Sequence, residues 1–246
     1  MTTLDLALRT LAEAESLLVC LDFDGTISEI VPDPAAARAH PAALAAIRDL
    51  SALPRTQVAV LSGRHLDGLR SVFPLGDPVV LVGSHGAETT AGGPQLTPDD
   101  RAFLHRIEAT LADIAEPPAS VEVKPYQRVL HVAALAETDP GRAESLLRRA
   151  LAIDAGGRPV IAGRNVVEFS ALETTKGSWL AGYKQGFSAT LMAGDDTTDE
   201  TALAVLGQGD VGIKVGPKPS VAPLRVSTVA EMAGVLTDLA AARAGR

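Results

Sequence analysis

Two carboxylates stand two residues apart where an apolar run ends, because Leu17-Leu18-Val19-Cys20-Leu21 leads straight into Asp22-Phe23-Asp24-Gly25-Thr26. In a strand, residues two apart share a face, and a turn starting at Asp24-Gly25 can re-aim the second side chain. A carboxylate at the end of a buried strand can attack phosphorus and form an aspartyl-phosphate, splitting a hard hydrolysis into two easier displacements. A second carboxylate within hydrogen-bond reach can protonate the leaving alcohol and then deprotonate water. Asp22 suits the first role and Asp24 the second. Anionic groups converging on an anionic phosphate call for a divalent cation with oxygen ligands. On this segment alone an alternative stays open, in which both aspartates only satisfy backbone donors of an Asp-Gly turn.

Two more apolar runs end in polar chemistry. Gln57-Val58-Ala59-Val60-Leu61 stops at Ser62-Gly63-Arg64, where a hydroxyl and the backbone N–H groups of a tight turn can bind phosphate oxygens. Ala189-Thr190-Leu191-Met192-Ala193 stops at Gly194-Asp195-Asp196-Thr197-Thr198-Asp199-Glu200, four acids in six residues from Asp195. Placed after a buried strand, that cluster is a hard-cation site with Asp195 as the direct ligand and Asp196 or Asp199 acting directly or through water. Lys176, in Thr174-Thr175-Lys176-Gly177, opens a predicted helix, and its spacing alone assigns it no role.

The elements that must position these residues alternate between strand and helix, which implies a doubly wound parallel α/β sheet, Rossmann-like, with helices on both faces. Helices are expected over Thr2–Ala14, Pro41–Ala52 and His65–Phe73, and strands over Pro78–Gly83 and Asp210–Val215, with a closing helix over Val229–Arg243. After Glu88 the pattern changes. It reads helix (Pro98–Glu116), strand (Ser120–Lys124), strand (Gln127–Ala134), helix (Pro140–Ile153), strand (Arg158–Ala162), strand (Asn165–Ser170). This αββαββ unit is expected to be an α+β cap domain inserted into the core, with core residues 1–92 and 173–246 and cap residues 93–172. Hinges are expected near Ala91–Pro98 and Ala171–Thr175. A cap opposite the crevice at the strand ends would act as a lid that excludes water and contacts substrate.

At four places together the sequence resembles the haloacid dehalogenase-like phosphatases: Asp22-Phe23-Asp24-Gly25-Thr26, Ser62, Lys176 and Gly194-Asp195-Asp196-Thr197-Thr198-Asp199, in the family's order. The resemblance implies Asp22 as nucleophile, Asp24 as general acid and base, Ser62 and Lys176 as phosphate clamps, and Asp195 with Asp199 as magnesium anchors. Asp24 would add its backbone carbonyl to the metal. With the cap included, nearly the whole chain is similar to the trehalose-6-phosphate phosphatase group. The likeness runs through Leu61-Ser62-Gly63-Arg64, Gly83-Ser84-His85-Gly86-Ala87-Glu88, Val121-Glu122-Val123-Lys124, His131 and Val166-Val167-Glu168. It implies hydrolysis of trehalose 6-phosphate with Mg2+, and a grip on the distal glucose by Glu122, Lys124 and Glu168. Glu122 and Lys124 also share one strand face, and charged groups bond hydroxyls more strongly than neutral ones do. Without the likeness all three read first as exposed strand charges, since paired opposite charges on an open sheet face are common. Arg64 and His85 fall near the phosphate crevice, though Arg64 could equally orient aspartates or cap a helix, and His131 could simply pair across the cap sheet.

Two departures bear on the substrate. The group continues its histidine as His-Tyr-Arg where this chain has His131-Val132-Ala133, and it places arginine and proline where this chain has Ser170-Ala171. A related sugar phosphate therefore stays open, such as a pseudo-disaccharide phosphate, glucosylglycerol phosphate or mannosylglycerate phosphate.

The bulk properties fit an enzyme acting on a small molecule. The 246 residues are 46% hydrophobic, ample for a core, and the formal charge of −8 argues against nucleic acid or an anionic membrane as partner. No long uncharged apolar run or signal pattern is present, so a cytoplasmic protein is expected, working as a monomer. The one cysteine, Cys20, excludes an intrachain disulfide. A phosphoacceptor receiver also uses an acidic pocket and a lysine, but its acids precede the phosphorylated aspartate, the reverse of the order here. A catalytically dead sugar-phosphate sensor is argued against by the intact Asp22 and Asp24.

Overall fold

A computed structural model describes residues 2–90 and 94–245. The domain boundary expected at 92/93, and the first part of the hinge expected over 91–98, lie outside the described residues. The chain divides into two compact units, Met1–Gly93 with Thr174–Arg246, and Pro94–Glu173. The elements run α1 (Thr3–Glu13), β1 (Leu17–Leu21), α2 (Pro41–Ala52), β2 (Thr56–Leu61), α3 (Leu66–Val72), β3 (Val80–Gly83) and β4 (Glu88–Thr89). The second unit supplies α4 (Pro98–Ile114), β5 (Ser120–Val123), β6 (Gln127–His131), α5 (Ala133–Thr138), α6 (Pro140–Leu151), β7 (Val160–Gly163) and β8 (Val166–Ser170). The first unit resumes with α7 (Lys176–Tyr183), β9 (Ala189–Gly194), α8 (Thr197–Leu203), β10 (Val211–Val215), β11 (Leu224–Val226) and α9 (Val229–Ala244).

In the first unit the strands form one sheet in the order β11-β10-β9-β1-β2-β3-β4, parallel except for the last pair. Every residue of β1 is buried, as a strand covered by helices on both faces requires. Leu17, Val19 and Leu21 pack with α1, α2, α3 and α9 residues on one face. Leu18 and Cys20 pack with Leu180 of α7 and Ala202 and Leu203 of α8 on the other. The chain leaves β1 first toward β2 and β3, and later returns to its other side as β9. That reversal sets a crevice beside the carboxyl end of β1. The register pairs Leu21 with Val60 and with Ala193, so the three strand ends lie side by side.

The second unit is a four-stranded antiparallel sheet, order β5-β6-β8-β7, backed by helices. Leu130, Val167 and Phe169 pack on Phe103, Leu104, Ile107 and Leu111 of α4 and on Leu146 of α6. Strand alternation sends Glu122, Lys124, Gln127, His131, Glu168 and Ser170 to the opposite face. The strand expected to run to Ala134 ends at His131. Val132 leaves strand geometry (φ −119°, ψ 10°) and caps α5, because Ala133-Ala134-Leu135-Ala136-Glu137 is a run of strong helix formers. The short elements β4, α5, α8 and β11 are additions to the predicted set; Leu224-Arg225-Val226, at three residues, is too short for its alternation to mark a strand. Among the described residues no helix is long and apolar enough to cross a membrane.

Candidate active site

The carboxyl ends of β9, β1 and β2 deliver Asp195, Asp22 and Ser62 in adjacent positions. Asp22 is buried, and its backbone N–H donates to the Ala193 carbonyl (3.0 Å), which continues the ladder one residue past β1. Its side chain takes a bond from Lys176 Nζ on Oδ1 (2.6 Å) and one from the Thr26 hydroxyl on Oδ2 (3.1 Å). Lys176 reaches it from the first turn of α7, whose Thr175 cap is part of a reciprocal capping box. The same ammonium donates to Asp199 Oδ1 (2.7 Å), and Asp199 Oδ2 accepts the backbone N–H groups of Asp195 and Asp196. Asp199 therefore fixes the loop that presents Asp195.

Two glycines make that closeness attainable. A Cβ on Gly194 would lie 2.3 Å from Asp199 Cγ, and one on Gly25 would lie 2.4 Å from Asp195 Cγ. Gly25 also turns with φ +87°, a conformation side chains resist.

Ligand oxygens of Asp22, Asp195 and Asp199 all lie within 4.8 Å of one another. Three buried carboxylates face one ammonium there, an excess of negative charge that burial makes costly. Burial first, then the Asp199 charge, pushes the Asp22 carboxyl up to about 8 against the pull of Lys176. Burial and Asp199 likewise push Asp195 up to about 6. For Lys176, burial opposes the charged form, but the Asp199 and Asp22 carboxylates outweigh it and raise its affinity for the proton. An all-oxygen, acidic donor set fits a hard divalent cation. Asp196 stands apart from this cluster. It caps α8 and pairs with Lys218 (2.7 Å), which lies 3.7 Å from Asp195. Burial works against the Asp196 charge, yet the Lys218 bond and the Thr197 N–H hold its carboxyl below the ordinary value.

Asp24 is turned to Arg64, whose Nε and Nη2 each donate to one of its oxygens at 2.7 Å. Arg64 is further tied to the Pro34 carbonyl (2.8 Å), and its ring-facing carbon sits 5.5 Å from the Phe23 centroid. The buried Ser62 hydroxyl accepts the Arg64 N–H (3.1 Å), and its carbonyl accepts the His85 N–H (3.0 Å). Gly63 lies against the His85 ring. Ser84 and His85 both have left-handed backbone (φ 48° and 54°), a strained turn held by the bond from Ser84 to Glu88.

On the polar face of the second unit, Glu122 and Glu168 both register opposite Val129. Lys124 donates to Glu168 (2.9 Å) with both side chains buried, and His131 bonds Glu122 (2.8 Å) with both half-exposed. Thr26 and Lys218 complete the site without having been singled out. Thr26 was inside a motif already read for its acids, and a lone lysine in Gly216-Pro217-Lys218-Pro219 carries no spacing signal.

A buried aspartate bonded to a lysine, with further acids at the same edge of a doubly wound sheet, is the arrangement implied by the resemblance to haloacid dehalogenase-like phosphatases. Within that class the chain belongs to the trehalose-phosphatase family, whose model matches residues 20–231. It is 32% identical over 240 residues to the bifunctional trehalose-6-phosphate synthase/phosphatase of Thermoproteus tenax, covering 93% of this chain and 32% of that protein. It is 37% identical over 209 residues to the trehalose-phosphate phosphatase of Mycolicibacterium paratuberculosis, covering 78% of this chain and 52% of that one. The chain thus spans a third to a half of these two relatives. In fold it is similar to the C-terminal domain of the C. albicans trehalose-6-phosphate phosphatase, with a TM-score of 0.80 at 22% identity over 98% of both chains.

Proposed function

We propose that the chain hydrolyses trehalose 6-phosphate to trehalose and phosphate through an aspartyl-phosphate on Asp22, with magnesium as the cation. The observation that carries the reading is the buried Asp22 at the end of β1, bonded by Lys176 and Thr26 and standing within ligand distance of Asp195 and Asp199. An Asp22 oxygen attacks phosphorus, the bond from phosphorus to the sugar oxygen breaks, and Asp24 gives that oxygen its proton. Asp24 then takes a proton from water, the water attacks the aspartyl-phosphate, and Asp22 and phosphate are released. Both Asp24 oxygens are held by Arg64, so each proton transfer needs that fork to open on one side. The Ser62 hydroxyl, the Gly63 N–H and Lys176 bind phosphoryl oxygens, with Arg64 and His85 bordering them. Asp22, Asp195 and Asp199, with Asp196 beside them, would hold magnesium, whose charge offsets that of the carboxylates and the phosphate. Glu122, Lys124, His131 and Glu168 take the sugar.

A related sugar phosphate is the second reading, favoured by the second unit's own residues. The positions where the group carries its arginines are Ala133, which opens α5, and Ser170, whose hydroxyl donates to the Leu172 carbonyl (2.8 Å), so neither supplies a cation. Phosphate release from trehalose 6-phosphate and a panel of other sugar phosphates, with and without chelator, tests both. Cation-dependent release with trehalose 6-phosphate preferred is the expected result. Preference for another member of the panel replaces the substrate, and no release from any of them removes the phosphatase reading.

A further inference from the structure

Gln127 opens β6 and is 2% exposed, yet its Oε1 has no hydrogen-bond partner. Buried side-chain oxygens are ordinarily satisfied, and leaving one unmade costs the full desolvation of the group. Its position says what the unmet acceptor faces. Gln127 pairs with Ser170 in the register, and its carbonyl accepts the N–H of Lys124, the residue after β5 (3.1 Å), so the three stand in one row across the sheet. Arg128, the next residue, goes to the helix side, where it bonds Glu108 (2.7 Å); alternation therefore sends Gln127 to the polar face with Lys124 and Glu168.

That face already pairs its polar groups. Lys124 is paired with Glu168, and His131 bonds Glu122. A second anionic group would meet two acids there, whereas a neutral polyol would meet acceptors and donors suited to hydroxyls. We propose that Gln127 is a specificity-determining residue, its side-chain amide bonding a hydroxyl of the uncharged sugar portion of the substrate. A half-turn of the amide exchanges acceptor for donor, and a hydroxyl serves either. This rests on the reading that the second unit takes the sugar of a sugar phosphate.

Gln127→Met keeps length and removes the polar atoms. If the amide is unmet until sugar binds, this change loses no bond in the free protein, and its melting temperature holds or rises. For trehalose 6-phosphate, kcat/KM should fall about three- to tenfold, carried by KM, while a small aryl phosphate, which offers no sugar hydroxyl, keeps its rate. Unchanged trehalose 6-phosphate kinetics in Gln127→Met, beside an active wild type, would overturn the role of Gln127 and leave the phosphatase reading intact. A lower melting temperature with equal losses on both substrates would overturn it as well, by making the residue structural. An inactive wild type on every sugar phosphate would instead remove the reading on which the proposal stands, and the proposal with it.

Discussion

Asp22 and Asp24 sit two residues apart and meet different surroundings, so their amides should fail differently. Asp22 is buried against Lys176, and Asp24 is half-exposed in the Arg64 fork. Asp22→Asn should abolish turnover and leave no acid-stable covalent phosphate, whereas Asp24→Asn should keep a residue of activity, reduced roughly 10²–10⁴-fold. Wild-type turnover in Asp22→Asn would end the covalent mechanism. The acids after β9 divide as well. Asp195 belongs to the cluster with Asp22 and Asp199, while Asp196 caps a helix and pairs with Lys218. Chelation should silence the enzyme and magnesium restore it, with Asp195→Ala raising the half-saturating magnesium concentration more than Asp196→Ala. Equal requirements in the two variants would assign the cation elsewhere. The acids were legible in the sequence because each closes an apolar run. The fork between Arg64 and Asp24 was legible only as one of the alternatives for Arg64, since it joins residues forty positions apart and either end had several plausible partners.

At the scale of elements, α4 is held at its start by charge as well as packing. Thr97 and Asp100 form a reciprocal capping box, and Arg158 bonds the other Asp100 oxygen (2.5 Å). The Thr97 hydroxyl first, then the Thr97 backbone N–H and Arg158, hold the Asp100 carboxyl down at about 2. A carboxyl lowered from an ordinary 3.8 stabilises the fold above about pH 4 and loses that contribution as the pH falls through about 2. Asp100→Asn should therefore lower the melting temperature at pH 7, and the gap from wild type should shrink between pH 4 and pH 2. A gap that stays constant over that range would mean the carboxylate charge contributes nothing. The helix itself was readable over Pro98–Glu116; its closure by Arg158 was not, because that contact joins residues 58 positions apart. Element ends were least readable where propensity and pattern disagreed, as at His131, where an apolar run continues past the strand but the chain turns into α5.

Across the whole molecule, the two units carry separate apolar cores and separate polar groups, with the buried acids and Lys176 in one and paired polar side chains in the other. The parallel core was legible because β1, β2 and β9 are largely apolar and stop at Asp22, Ser62 and Gly194-Asp195. On the second unit's sheet, pairing was legible only as an alternative for His131, and its partner was not, since that depends on register between strands that sequence leaves unaligned. If that sheet takes the sugar, its residues should matter only for substrates that have one. Lys124 and Glu168 are a buried pair, so removing either alone breaks that pair at a cost of roughly 3–5 kcal/mol in stability and confuses folding with binding. Changing both at once, Lys124→Met with Glu168→Gln, removes the charges together and keeps the shapes. Each charged hydrogen bond lost to the sugar should cost on the order of 1.5–3 kcal/mol, about ten- to a hundredfold in kcat/KM for trehalose 6-phosphate. A small aryl phosphate makes no such bonds, so its slower turnover should stand unchanged. Equal falls on both substrates would show that the pair supports the fold, and unchanged kinetics on both would return Lys124 and Glu168 to ordinary strand charges.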